Sequence, residues 1–439
     1  MLKTLVGAFK NKDIRKKILY TLMILVIVRV GSLLPIPGVD TEYFSSLLSG
    51  INTGDLSYLS AFTGGSFERM SLFALSITPY INSSIIMQLL AIAIPKLEEM
   101  QKEGEDGRKK IAAITRYVTI ALALIESIAM AVGFGRSGLI KGYQGFSTLH
   151  YIVSIIVVVA ALTAGSAMLM WLGERITENG VGNGISIVLL INIISGMPSD
   201  FATLYSTFVA PRTIAKGVLA AAIIIAILVV MVVLVCFLQD GERRIPVQYS
   251  QKVSGRKTFG GQSTNIPLKV NTAGVMPVIF ASSLMQFPVI IAQLFGKSYE
   301  WTRYLSSSYW CRISAPKYSI GLILYIVLLI IFAYFYTSIT FNPIEVADNL
   351  KKAGGVIPGI TPGKSTSDYL NNILNYIVFV GAVGLLIIAL IPIMCTGFFN
   401  ASVSFGGTSV IIIVGVVLET LKQIESQMVN RYYKGFLSE

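Results

Sequence analysis

Residues 369–418 read YLNNILNYIVFVGAVGLLIIALIPIMCTGFFNASVSFGGTSVIIIVGVVL, fifty consecutive residues without an aspartate, glutamate, lysine or arginine. As one α-helix, this run would be about 75 Å long. That is more than twice the roughly 30 Å hydrocarbon core of a bilayer. The stretch 392–408 holds proline, glycine, asparagine and serine, which favour turns, so the run reads as two membrane spans joined by a short hairpin. Further charge-free runs occupy 70–95, 142–173, 179–199, 217–239, 270–296 and 318–344. Two more apolar stretches carry isolated charges: 18–34 holds Arg29, and 111–134 holds Arg116 and Glu126. The expectation is ten spans, near 18–34, 76–94, 111–134, 149–172, 184–204, 217–238, 270–294, 319–341, 369–391 and 404–426. The first span precedes Leu34-Pro-Ile-Pro-Gly38 rather than a small-residue cleavage site, which argues against a removed signal peptide.

The bulk composition agrees. Of 439 residues, 54% are hydrophobic and 13% charged, against about 25% charged in soluble domains, and the mean hydropathy is +0.71. Soluble, disordered, collagen-like and disulfide-scaffold classes are excluded on that basis. The net charge is +12. In a soluble protein this would suggest nucleic acid or an acidic partner. In a membrane protein, cytoplasmic loops are enriched in Lys and Arg. Counted over alternate loops, 25 Lys and Arg fall on the side that holds both termini and nine on the other, with Arg29 inside a span. Both termini are therefore expected in the cytoplasm. Cys236, Cys311 and Cys395 are too scattered for a disulfide framework or zinc site, and His150 is the sole histidine. No cofactor or metal is expected.

Motifs for chemistry fail on inspection. Pro358-Gly-Ile-Thr-Pro-Gly-Lys-Ser365 resembles a phosphate loop, but proline stands where glycine lets the backbone wrap phosphate, and no strand is expected before it. Gly180-Val-Gly-Asn-Gly184 lacks the strand–turn–helix of a dinucleotide site and reads as close helix packing. His150, beside Tyr151 at a span edge, reads as interfacial packing. No HExxH, GxSxG or DDxxD pattern occurs, and no catalytic residue is assigned. Charges at mid-depth usually mark transport sites. Only Arg29 and Glu126 lie well inside spans, which argues against a small-solute secondary transporter, the alternative reading.

Two features stand apart. Residues 56–71, LSYLSAFTGGSFERMS, are semi-apolar and precede the second span. They read either as an amphipathic surface segment or as a re-entrant element in a protein-lined cavity, where irregular backbone is tolerated. The loops 239–269 and 342–368 are long, basic and glycine-punctuated, and 244–250 alternates like a hairpin strand. Loops this long are usually functional. Arg243, Arg244, Arg256, Lys257, Lys351, Lys352 and Lys364 suit an acidic protein or ribosomal RNA, or simply set topology.

A set of motifs runs in order along the chain: Gly31-Ser-Leu-Leu-Pro-Ile-Pro-Gly38, Thr78-Pro-Tyr-Ile81, Gln88-Leu-Leu90, Lys102-Glu-Gly104, Trp171-Leu-Gly-Glu174, Gly182-Asn-Gly-Ile185, Gln262-Ser-Thr264, Pro267-Leu-Lys-Val270, Ala273-Gly-Val275 and Phe405-Gly-Gly-Thr-Ser409. The ordered set resembles the SecY family of bacterial protein-conducting channels. The resemblance implies an all-α polytopic membrane protein of the cytoplasmic membrane, with ten transmembrane helices in two inverted-repeat halves, 1–204 and 205–439. Such repeats recur in transport proteins. It implies a re-entrant plug helix near 56–71, with Leu59, Phe62, Gly64, Gly65, Phe67 and Glu68. It implies a pore ring of Ile77, Ile81, Ile185, Leu189, Ile279 and Ile412, all apolar, and a lateral gate at Asn82, Glu126, Ser283 and Phe287. The implied function is conduction of unfolded secretory chains and lateral release of transmembrane segments into lipid, without enzymatic activity. The implied partners are SecE and SecG subunits, the SecA motor, the ribosome, signal-bearing polypeptides, membrane lipid, SecD/SecF and YidC. Two positions depart from the family: Glu126 stands where a neutral polar residue is usual, and Thr361 where arginine is usual, so that arginine's docking role is not carried over.

Overall fold

The computed structural model describes residues 7, 9–50, 63–134, 148–211, 214–249, 252–254, 257–259, 263–294, 300–312, 316–399 and 407–435. Ten long helices overlap the ten expected spans: α1 (Lys12–Leu33), α3 (Thr78–Ala93), α5 (Glu105–Phe134), α6 (Thr148–Asn179), α7 (Gly184–Leu204), α8 (Ile214–Asp240), α9 (Met276–Leu294), α11 (Ile320–Thr340), α13 (Lys364–Phe399) and α14 (Gly407–Gly435). Shorter helices lie between them: α2 (Thr41–Gly50), α4 (Pro95–Lys102), α10 (Glu300–Leu305) and α12 (Pro343–Lys352). Among the described residues six helices are long and apolar enough to span a bilayer alone. The pair α3 and α4, bent by 106°, passes the same test only when taken together; it bends because Pro95 has no N–H to continue the ladder. The chain is a multi-pass, all-α membrane protein.

The helix starts are legible locally. Asn183 caps α7 by accepting from the N–H of Ile185 and Ser186 at 3.2 and 3.4 Å, and Asn342 caps α12 in the same way. Such caps satisfy otherwise orphaned first-turn donors. Helices pair α5 with α6, α3 with α5, α6 with α7, α9 with α11, α11 with α13 and α8 with α14. The main core gathers Val28, Ile77, Leu189, Ile279, Leu329 and Ile412 from six different helices or their approaches. Outward apolar residues such as Val218, Leu219 and Phe237 of α8 stay exposed, as lipid-facing side chains do.

The charged loops form a small sheet at one end of the bundle. Strand β1 (Glu242–Tyr249) pairs antiparallel with β4 (Ser263–Lys269), from Glu242 opposite Lys269 to Gln248 opposite Ser263. It also pairs with β5 (Gly355–Val356), so both long loops enter one sheet of order β4-β1-β5. The short β2 (Lys252–Ser254) and β3 (Lys257–Phe259) pair separately. Ile245 and Val247 are buried while Arg244 and Pro246 are exposed. This period of two seats one face on Leu370, Ile373 and Ile377 of α13.

Two sequence expectations need correction. The hairpin expected over 392–408 begins late, since α13 runs through Pro392 to Phe399. Transmembrane helices tolerate proline because neighbouring groups re-satisfy the freed carbonyl. A strand, β5, does precede Pro358, contrary to expectation, but it lies in an antiparallel sheet. The turn after it uses its own donors, Ile360 N–H to Ile357 O at 3.0 Å and Thr366 Oγ1 to Thr361 O at 2.9 Å. Of the plug helix expected near 56–71, residues 56–62 lie outside the described ones; Thr63 is helical and 64–70 is a succession of turns. Gly64 and Gly65 there take φ of 62° and 79°, a left-handed backbone incompatible with a continuing helix.

Candidate functional site

A cavity of about 400 Å³ lies between the helices, its lining reaching Lys269 at the end of β4. Its apolar floor includes Ile81 of α3, Ile185 and Leu189 of α7, Ile279 of α9 and Ile412 of α14. Five of the six expected ring residues therefore share one wall. Ile77 precedes α3, is buried in the same core and does not line the cavity. The rim is polar: Gln88, Asn183, Gln239, Lys269, Asn271 and Lys422. Lys422 of α14 pairs with Asp240 at 2.7 Å.

Below the floor lies the segment expected as plug. Of its assigned residues, Leu59 and Phe62 fall outside the described ones, whereas Gly64, Gly65, Phe67 and Glu68 are described. The carbonyl of Gly64 accepts from Ser195 Oγ at 3.3 Å, one and a half turns along α7 from Leu189. A Cβ on Gly64 would stand 2.8 Å from Asn192 O and 3.0 Å from its Cα, so only glycine admits this approach. Phe67 is buried, its ring edge-on to Phe44 at 5.8 Å, whereas Glu68 is exposed. The segment is stitched to the end of α1 by Ile36 N–H to Met70 O at 3.1 Å and Leu72 N–H to Leu34 O at 2.9 Å.

Sequence reasoning missed the polar clasp beside it. Asn192 Nδ2 donates to Ser76 Oγ at 3.1 Å, and Ser166 Oγ to Ser76 O at 3.4 Å. Ser76 takes a φ of 53°, an uncommon position for a non-glycine residue. The signal was present: Asn192 stands in an otherwise apolar run, and buried polar groups require partners.

The expected gate residues lie along one crossing. Asn82 of α3 donates to Glu126 Oε1 of α5 at a long 3.5 Å. Ser283 and Phe287 lie on α9, which packs against α5, and Phe287 is partly open to the surroundings. Arg116 of α5 is fastened instead to Glu174 of α6 at 2.7 Å. Of the docking candidates, Arg243 and Arg244 are exposed on β1, Lys351 and Lys352 end α12, and Lys364 opens α13, also exposed. Lys257 begins β3, and Arg256 lies outside the described residues. Among the described residues no cluster of metal-ligating side chains occurs.

Comparison with known proteins agrees with this geometry. The SecY family model matches residues 71–421. A protein translocase subunit SecY of Streptomyces galbus is 44% identical over 446 residues, covering both chains in full. That of Halalkalibacterium halodurans is 42% identical over 445 residues, again in full. Among solved structures, a protein-conducting channel superposes with a TM-score of 0.61 at 18% identity, covering 94% of this chain and 93% of the other. Canine Sec61 from a ribosome-channel complex superposes at 0.60 and 18% identity, covering 94% and 93%. These likenesses carry the fold, and the full-length identities carry the family. The chain belongs to the SecY family of protein-translocation channels, which are not enzymes.

Proposed function

We propose that this chain is the channel subunit of a Sec-type protein translocase in the cytoplasmic membrane. It conducts unfolded secretory polypeptides and releases transmembrane segments sideways into lipid. The observation that carries the reading is the shared cavity wall of Ile81, Ile185, Leu189, Ile279 and Ile412. A narrow apolar wall resists wetting and hence ion flow, and it offers no polar group that would hold one side chain longer than another. The halves 1–204 and 205–439 part to widen it, and the crossing of Asn82, Glu126, Ser283 and Phe287 opens to lipid. The segment near 56–71 acts as the plug.

Energy comes from partners, namely a SecA-type motor or the ribosome, docking on the basic sheet end. SecE and SecG subunits complete the channel, with SecD/SecF and YidC as further associates. Support comes from the curated relatives, which are translocase subunits, and from the fold likeness to channels solved with ribosomes. Arg243, Lys351 and Lys352 are exposed to steer such a partner, beside Arg244, which pairs with Glu242 at 3.7 Å, and exposed charge acts mainly on association rate.

One labelling experiment tests orientation and docking together. In a background with Cys236, Cys311 and Cys395 changed to serine, Lys352→Cys should react with a membrane-impermeant thiol reagent only from the cytoplasmic side. Added motor or ribosome should slow the reaction, less so at high salt. Arg303→Cys should react only from outside. Labelling of Lys352→Cys from outside intact cells would overturn the orientation.

A further inference from the structure

Four of the nine cations counted on the side opposite the termini fall within 295–319, as Lys297, Arg303, Arg312 and Lys317, with Glu300 the one acid there. This concentration runs against the charge bias of the chain. The segment connects α9 to α11 and therefore lies at the end of the bundle away from the sheet.

The described cations are set around two tyrosines. Arg303 and Arg312 both lie over the Tyr309 ring, at 5.8 and 5.0 Å. Lys317 lies over the Tyr318 ring at 5.0 Å, and Arg303 carries its charge close to the same tyrosine. The platform beneath is rigid. Tyr304 and Tyr309 meet Tyr318 edge-on at 5.0 and 6.0 Å. Trp310 is buried, with its indole N–H on Tyr304 O at 2.8 Å. Gly321 passes so close that an added Cβ would overlap Tyr304 O. Arg312 Nε is buried and meets no acceptor among the described residues. Three cations are thus gathered on one aromatic platform. Apolar surface adjoins them: Trp301 is 45% exposed, Ile320 64% and Ile323 62%.

We propose that Arg303, Arg312 and Lys317 form a binding site for the phosphate of an anionic glycerophospholipid in the leaflet away from the sheet. The acyl chains would lie along Trp301, Ile320 and Ile323. Each part has a physical reason. Guanidiniums stacked on an aromatic face keep their N–H edges free for phosphate oxygens. Basic residues at a membrane surface are attracted to anionic headgroups. Cations prepositioned by packing bind without an ordering cost. The apolar flank favours a ligand with hydrocarbon attached over a free anion.

The test uses the purified full chain carrying Trp171→Phe, so that Trp301 and Trp310 report the site. It is placed in nanodiscs of phosphatidylcholine with increasing brominated phosphatidylglycerol. Quenching should show a preference for the anionic lipid over brominated phosphatidylcholine that weakens with salt. Arg303→Gln/Arg312→Gln/Lys317→Gln should reduce this preference about tenfold or more. The exposed single changes Arg303→Gln and Lys317→Gln, which leave the platform intact, should each give part of that loss. An unchanged preference in the single and triple variants would overturn the site. Relief of quenching by inorganic phosphate would assign it to free anions, and relief by a soluble acidic peptide would assign it to a polypeptide. Either result refutes a lipid site.

Discussion

A channel carrying Ile81→Ser and Ile279→Ser, and lacking residues 59–68, should pass ions across a planar bilayer without substrate, far beyond the sum of its separate changes. The expectation follows from two barriers in series. The first is the apolar floor of the cavity, where both isoleucines are more than nine-tenths buried. Each exchange for serine removes roughly 2 kcal/mol of apolar transfer energy from that wall. Since about 1.4 kcal/mol shifts an equilibrium tenfold, two exchanges move the wetted population by orders of magnitude. The second barrier is the turn segment on α7, held by Ser195 on Gly64 and by Phe67 against Phe44. Ring substitution alone leaves this steric block in place. Plug deletion alone leaves a dry constriction, and neighbouring residues refill the gap. Single changes should therefore leak modestly or intermittently. A combined variant as tight as the parent would remove these residues from the seal.

Gly184→Val should destabilise the protein by about 3 kcal/mol or more, the upper end of overpacking costs. A Cβ at Gly184 would sit 1.9 Å from Gly173 O and 2.7 Å from Ile176 Cβ. The corner between α6 and α7 exists because two glycine backbones pass each other there, while Gly184 N–H donates to Thr177 Oγ1 at 2.9 Å. This corner aims Ile185 and Leu189 at the cavity. Gly196→Ala, on the same helix, meets nothing within 4 Å and should be near neutral. Thermal melts of the two purified variants, read against the parent, give the comparison. Equal melting temperatures for Gly184→Val and the parent would show that the corner carries no strain.

The spans were legible because hydrocarbon requires long apolar runs, and the ends of α7, α8 and α11 fall within three residues of expectation. The strand β1, Glu242–Tyr249, was legible from the alternation of the sequence there. Its second partner was not, because Gly355 and Val356 lie about a hundred residues downstream and only two residues pair. Pro392 misled for a physical reason: its turn preference is measured in water, and within a bundle the helix has no better place to put its carbonyls. Gly64 and Gly65 foretold unusual backbone, but Met70 and Ser76, with φ of 42° and 53°, carried no such mark. The ring isoleucines are indistinguishable from core isoleucines by type or spacing. Only their place in family motifs singled them out, and the cavity then gathered five of the six.

The most direct measurement is site-specific photocross-linking from the cavity wall to a secretory chain stalled during translocation. With the photoreactive residue at Ile81 or at Ile279, the stalled chain should be captured from both positions. Placed at Ile225 of α8, 61% exposed on the lipid-facing surface, it should capture none. Absence of capture at both wall positions, or equal capture at Ile225, would contradict a polypeptide path through this cavity.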